Sequence, residues 1–231
     1  YTDIDYVVFY EKPLRKFERI LTTHIFHAPN GFKTFVKAMP IWLKERLDMK
    51  SMITKSLNEL CHHRIKWDIR FVEHHLSHAA MAYFTSPFDN AAVLVVDAVG
   101  ENATTSLFKA IDCKIECIKQ QSFPNSVGLL YSAFTYFLGF QVNSDEYRVM
   151  GLAPYGDLCS EQTQHFIDII KTKLVSIGDD GSIIINQKYF TFMVGLKMVT
   201  DHVWANLFGI AKRETDAPVK TEHMNLAAAI Q

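Results

Sequence analysis

The feature that most constrains the fold is a strand, a helix and a second strand in close succession mid-chain. Residues 68–72 read as a short strand that runs straight into residues 74–84, whose alanines and lack of Gly or Pro suit a helix. Ser86-Pro87 and Asp89-Asn90 mark a turn. Residues 91–96 then form an unbroken apolar run closed by Asp97, the pattern of a buried strand. This alternation predicts an α/β fold.

The flanks extend the pattern. Residues 6–10 read as an apolar first strand, and residues 31–60 as helical, with Pro40 ending or kinking a helix. Gly100-Glu101-Asn102 is a turn, residues 104–108 a returning strand, and residues 115–119 a further one. Ser126 opens a strongly apolar helix to about Leu138, which Gly139 ends. Residues 143–156 read as a polar loop and 160–174 as an amphipathic helix. Asp179-Asp180-Gly181 is a hairpin turn before a strand at 183–185. From 190 onward the expectation is mostly helix, broken near 215–218.

Composition narrows the function classes. At 231 residues the chain can form one large domain or two lobes sharing a cleft. A hydrophobic share of 48% with 21% charged residues excludes global disorder. Twenty-five acidic residues against 24 basic ones leave no field to gather nucleic acid or an anionic membrane. No apolar run reaches membrane-spanning length, and no signal peptide precedes the first strand. Cys113 and Cys117 are expected on one face of a strand, but no second Cys or His pair completes a zinc site. With Cys61 and Cys159 they read as reduced thiols of a cytoplasmic protein. The chain opens on a strand without Met and stops inside a helical pattern, so it is expected to be an internal piece of a longer protein.

Three segments carry chemistry. His74 and His78, four apart, share one helix face, and neutral imidazole is a common ligand for divalent transition metals. Asp97 is the natural third ligand, since a charge ending an apolar strand must be paired, solvated or metal-bound. His75 offers a three-residue alternative to His74. No Glu follows the first His, so the usual metalloprotease pattern is absent, and surface or core histidines are the plainer reading of the spacing alone. The hairpin 95–106 has backbone N–H groups and small hydroxyls that can approach a phosphate, but no Lys and no P-loop; an ordinary hairpin is the plainer reading. Residues 146–156 hold a carboxylate, a guanidinium and two tyrosines suited to a polar substrate, or a packed loop with a surface Glu–Arg pair.

Taken together, three stretches resemble the NodU-type O-carbamoyltransferase family, which includes the nodulation-factor, cephalosporin, novobiocin and tobramycin carbamoyltransferases. They are His74-His75-Leu76-Ser77-His78-Ala79-Ala80, then Val96-Asp97 followed by Gly100-Glu101 and Thr104-Thr105-Ser106, and the stretch from Ser126-Val127-Gly128 through Leu138-Gly139-Phe140 to Gly156. The resemblance is close over residues 68–157. Asp145 and Arg148 stand where the family usually has Gly and Lys, and Ala98 where it usually has Gly.

The resemblance implies an incomplete actin/Hsp70/sugar-kinase-like (ASKHA) fold related to the tRNA threonylcarbamoyl transferases. Residues 1–90 would belong to the first lobe and 91–231 to the second, without the N-terminal strands and the C-terminal synthase-like domain. It implies metal ligation, with iron expected, by His74, His78 and Asp97 and a further Asp beyond Gln231. It implies nucleotide contacts at Gly100, Gly128 and Ser132, a catalytic carboxylate at Glu101 or Glu146, and substrate contacts at Tyr147 and Arg148. The implied chemistry makes carbamoyl adenylate from ATP and carbamoyl phosphate, then transfers the carbamoyl group to the hydroxyl of a small-molecule acceptor. Besides that acceptor the expected partner is the missing C-terminal domain, with no nucleic acid and no membrane; alone, the piece is expected to be inactive.

Three rivals make different demands. A tRNA threonylcarbamoyl transferase should show Gly-Gly-His-Thr-like residues where Ala98-Val99-Gly100-Glu101 stands, and a basic surface. A sugar kinase or actin-like ATPase has no reason to keep His74 and His78. An interaction domain predicts no metal retention.

Overall fold

The computed structural model describes residues 3–45 and 48–231. They form two compact units. One holds the described residues up to Val95 together with Val99–Gln120, the other Val96–Ala98 together with Gln121–Gln231.

In the first unit β1 (Val7–Phe9) and β2 (Ile69–Phe71) pair in parallel, Val7 opposite Ile69 and Phe9 opposite Phe71. A parallel pair cannot be closed by a hairpin, and the connection carries α1 (Pro13–His27), α2 (Phe32–Glu45) and α3 (Met49–Cys61). Helix α1 lies ahead of the stretch read as helical. Its signal is Pro13 at the first helical position, where a missing N–H costs nothing. Of the two outcomes expected at Pro40, an end or a kink, the end does not occur, since α2 runs through it to Glu45. Cys61, Trp67 and Ile69 form a small core with Val7, Ile53 and Leu57 packed on it. Asn58 Oδ1 accepts from the Trp67 indole at 2.9 Å and from the Ile65 N–H at 3.0 Å, tying α3 to the chain entering β2.

Helix α4 (His74–Phe84) follows β2, as the sequence predicts, and leads to β3 (Asn90–Val96), β4 (Ala103–Ile111) and β5 (Lys114–Ser122), a sheet of order β3-β4-β5. Ala79 of α4, Val95 of β3 and Phe108 of β4 are the buried contacts of this layer. Strands β4 and β5 are longer than expected because their turn is Asp112-Cys113, with φ of 46° and 65°. Two left-handed residues are what a tight hairpin demands. Cys113 therefore lies in the turn, and the shared strand face expected for it and Cys117 does not form. Both thiols are free and exposed.

The second unit contains α5 (Val127–Phe137), α6 (Glu146–Leu152), α7 (Glu161–Ile169), the antiparallel pair β6 (Val175–Ile177) and β7 (Ile183–Ile185), α8 (Asp201–Phe208) and α9 (Thr221–Ile230). Its core stacks Phe134, Phe137, Phe166, Trp204 and Phe208, with ring centroids of 4.9 Å for Phe134–Trp204 and 5.7 Å for Phe166–Phe208. Edge and tilted ring contacts of this kind fix orientation beyond simple area burial. Gly139, at φ +75°, follows α5 as predicted.

Two expectations fail here. Residues 143–156 are not a loop: they hold α6 and a 3-10 turn at Ala153–Tyr155. Val149 and Ala153, four apart and both buried, give the segment an apolar stripe that its polar composition hides. Residues 190–200 are not helical. Phe190 bridges Val199, and the Thr191 hydroxyl donates to the Lys197 carbonyl at 2.7 Å, a side-chain alternative to helix bonding. The chain is mixed α/β, with helices and small sheets. Among the described residues no helix is long and apolar enough to cross a membrane.

Candidate metal centre

Helix α4 starts at His74 without a cap of its own. Glu73, the preceding residue, is extended and makes no cap bond; its Oε1 accepts instead from Lys12 Nζ at 3.1 Å and Arg15 Nη1 at 2.6 Å. The His74 N–H is satisfied from elsewhere in the unit, by Glu101 Oε1 at 3.2 Å. The same oxygen accepts from the backbone N–H of Lys12, at the start of α1, at 2.6 Å. Glu101 is buried, and both bonds go to helix N-termini, where N–H groups lack partners in their own helix.

One residue on, His75 is buried and its Nδ1 lies 2.7 Å from Ser106 Oγ on β4. That contact takes His75 Nδ1 to the sheet, and His74 and His78 are the two rings that meet. Their Nε2 atoms are 3.1 Å apart, with the rings edge to face at 79°. Asp97 is the first residue after β3. Asp97, the third ligand that the sequence names, belongs to the second unit.

The spacing of the two imidazoles suits a shared divalent transition metal. Metal–ligand bonds of about 2.0–2.1 Å at tetrahedral or octahedral angles set neighbouring ligand atoms roughly 2.9–3.4 Å apart. The Nε2–Nε2 distance of 3.1 Å, at which a protonated Nε2 of one ring donates to the other in the absence of metal, falls in that interval. Two imidazoles and a carboxylate are a borderline-to-hard set that suits Fe²⁺, Mn²⁺ or Zn²⁺.

The remaining sequence candidates lie at the start of α4, along α5 and at the start of α6. A Cβ on Gly100 would meet His74 Cδ2 at 3.0 Å and Cβ at 3.1 Å, so the imidazole lies directly on this glycine. In the second unit, a Cβ on Gly128 would sit 2.6 Å from Ala98 N and Cα and 2.8 Å from Asp97 C. Ser126 caps α5, accepting from the Leu129 N–H at 3.0 Å, and donates to the Ala98 carbonyl at 2.6 Å. The first turn of α5 therefore grips the backbone that carries Asp97. Asp97 Oδ1 also accepts from the Ala98 N–H at 2.7 Å.

Ser132 is buried and donates to Glu146 Oε1 at 2.9 Å; that oxygen also accepts from the Asn143 N–H at 2.8 Å. Tyr147 and Arg148 are exposed side by side on α6, with Arg148 Nε 3.3 Å from the Tyr147 hydroxyl and 3.3 Å from Asp145. The Tyr147 hydroxyl, then the charge of Asp145, raise the Arg148 guanidinium above its ordinary value. The surface Glu–Arg pair considered from sequence is thus an Asp145–Arg148 pair, with Glu146 turned to Ser132.

Sequence reasoning missed the Glu101 link between α1 and α4 and the Ser126–Ala98 bond. Ser126 was legible as a cap, but nothing local names the second partner of either residue.

Comparison with known proteins places these features. The chain is 46% identical to an uncharacterized protein of Synechocystis sp. over 99% of its own length and 36% of that protein. It is 32% identical to the nodulation protein NolNO of Sinorhizobium fredii over 71% of the chain and 21% of that protein. It is 39% identical to the nodulation protein NolO of Bradyrhizobium diazoefficiens over 37% of the chain and 16% of that protein. The chain thus spans about a third or less of these curated relatives. The sequence model of the carbamoyltransferase N-terminus matches residues 1–231, and the chain belongs to that NodU-type carbamoyltransferase family.

Proposed function

We propose that this chain is part of the catalytic domain of an O-carbamoyltransferase that holds a divalent metal, iron foremost, at His74, His78 and Asp97. The observation that carries this reading is the 3.1 Å approach of the two Nε2 atoms from adjacent turns of α4. Membership of the carbamoyltransferase family supports the reaction class, and the motif resemblance to O-carbamoyltransferases over residues 68–157 supports an oxygen acceptor.

In the transfer step the acceptor hydroxyl oxygen bonds to the carbamoyl carbon. The bond from that carbon to the adenylate phosphate oxygen breaks, AMP leaves with the electron pair, and the hydroxyl proton passes to a base. The metal would polarise carbonyl or phosphate oxygens and counter their developing charge. The protein's own part is positional: α4 aligns the two imidazoles, Ser126 and Gly128 fix the backbone of Asp97, and exposed Tyr147 and Arg148 are available to a polar substrate. Carbamoyl adenylate would come from ATP and carbamoyl phosphate in a synthase-like domain within the remainder of the full-length protein. An actin-like fold and a cytoplasmic setting complete the reading, with a small-molecule hydroxyl as acceptor.

The test is metal content by mass spectrometry after anaerobic purification, for the full-length protein and its His74→Ala and His78→Ala variants. Near-stoichiometric metal lost from both variants is the expected result. A full-length protein that retains no metal overturns the site.

A further inference from the structure

We infer that the Gly100-Glu101 turn is the seat of His74, and that Glu101 is a positioning residue for the metal pair rather than a proton carrier. This rests on the metal reading above. Three observations within the first unit carry it.

The Glu101 carboxylate is 7% exposed, and its Oε1 holds the N–H groups of His74 and Lys12 together. Neither helix start has a side-chain cap of its own: Lys12 and Glu73 at the cap positions make none. Gly100 forms the floor under the imidazole, since an added Cβ would lie 3.0–3.2 Å from three carbons of the His74 side chain. The turn is itself closed by the Gly100 N–H donating to the Ala103 carbonyl at 2.9 Å.

The consequence follows from where His74 and His78 sit. His74 is the first residue of α4 and His78 lies one turn further in. First-turn residues lack intrahelical partners for their N–H groups and fray when nothing else holds them. Fraying would carry His74 away while leaving His78 in place, so the 3.1 Å spacing depends on whatever caps the helix. Glu101 provides that cap, and Gly100 sets the side of the ring from beneath. Because Oε1 is committed to two backbone donors, this oxygen is badly placed to take a proton from an acceptor hydroxyl.

The test uses Co²⁺ as the probe, in the full-length protein. Its affinity and its visible ligand-field spectrum are recorded for wild type, Glu101→Gln, Glu101→Ala and Gly100→Ala, beside thermal unfolding of each. Outer-sphere support of metal ligands is ordinarily worth about 10–100-fold in affinity. Glu101→Ala should lose binding in that range with a changed spectrum, and Glu101→Gln, which keeps an oxygen acceptor, should largely restore both. Gly100→Ala keeps every hydrogen bond and should still shift the spectrum, which keeps the idea testable if Glu101→Ala does not fold. Wild-type protein that binds no Co²⁺ removes the metal reading and this inference with it. Tight wild-type binding with an unchanged spectrum in folded Glu101→Ala and Gly100→Ala overturns the inference alone. A full loss in Glu101→Gln, with folding intact, would make the charge rather than the cap decisive and would also overturn it.

Discussion

Replacing Gly128 by alanine sets two effects of opposite sign against each other. Alanine is the better helix former by about 1 kcal/mol at an interior position, and it also narrows the unfolded ensemble. On an open helix face the substitution would stabilise the protein by about that amount. At Gly128 the new methyl carbon would lie 2.6 Å from Ala98 N and Cα and 2.8 Å from Asp97 C. The closest of these is about 0.8 Å short of the 3.4 Å at which ordinary contact begins. All three atoms are backbone, so no side chain can rotate away, and Ser126 Oγ holds the same segment through Ala98 O at 2.6 Å. Overpacking commonly costs about 1–3 kcal/mol, and a clash with fixed backbone belongs at the upper end. The net expectation is a loss of about 1–2 kcal/mol, with weaker metal binding because the backbone of Asp97 must move. Urea unfolding followed by tryptophan fluorescence, in a background where Trp204 is the one tryptophan kept, reads the first quantity and metal titration the second. A Gly128→Ala protein stabilised by about 1 kcal/mol with unchanged metal affinity would refute the reasoning.

Three further outcomes are expected. Ser126→Ala removes the α5 cap and the donor to the Ala98 carbonyl together, and should cost about 2–3 kcal/mol in the same urea assay. Metal supplied at about a hundred times its Kd should stabilise the protein by about 2.7 kcal/mol, and a thermal-shift series should show no such gain for His78→Ala. His223 is buried at the start of α9, with its Nδ1 accepting from the Lys220 N–H at 3.0 Å. Burial, with the neighbouring charges of Arg213 and Lys220, lowers its ring below 6.5 against the opposing pull of Glu222. Folding therefore favours the neutral ring: this contribution is whole above 6.5 and is lost as pH falls through the lowered folded value. His223→Asn, which keeps an acceptor without a titrating group, should flatten that part of the stability–pH curve.

The parts of the fold legible from sequence are those decided within a turn or two of chain. The helix at His74–Phe84 and the strand at Asn90–Val96 follow from local composition, and Ser126 and Gly139 bracket α5 through capping chemistry. Two of the departures share one cause. In α6 the buried stripe of Val149 and Ala153 outweighs a polar, loop-like composition, and at 190–200 a bridge to Val199 displaces an expected helix. Both outcomes depend on what the segment packs against.

The candidate site divides in the same way. The four-residue spacing of His74 and His78 belongs to the sequence, because a helix converts it into one face whatever the rest of the chain does. The spacing left His74 and His75 open as the partner of His78; Ser106, 31 residues away, takes His75 Nδ1 to the sheet, and His74 and His78 are the two rings that meet. Glu101 is one of two carboxylates that the resemblance implies as catalytic, and its Oε1 accepts from N–H groups 27 and 89 residues distant, bonds that no local pattern announces. Gly128, which the resemblance implies as a nucleotide contact, has the Asp97–Ala98 backbone packed against the side where a Cβ would stand, an approach that no local pattern announces. A hydrogen bond or a close approach between distant segments has no period and no local composition, so only the folded chain specifies it.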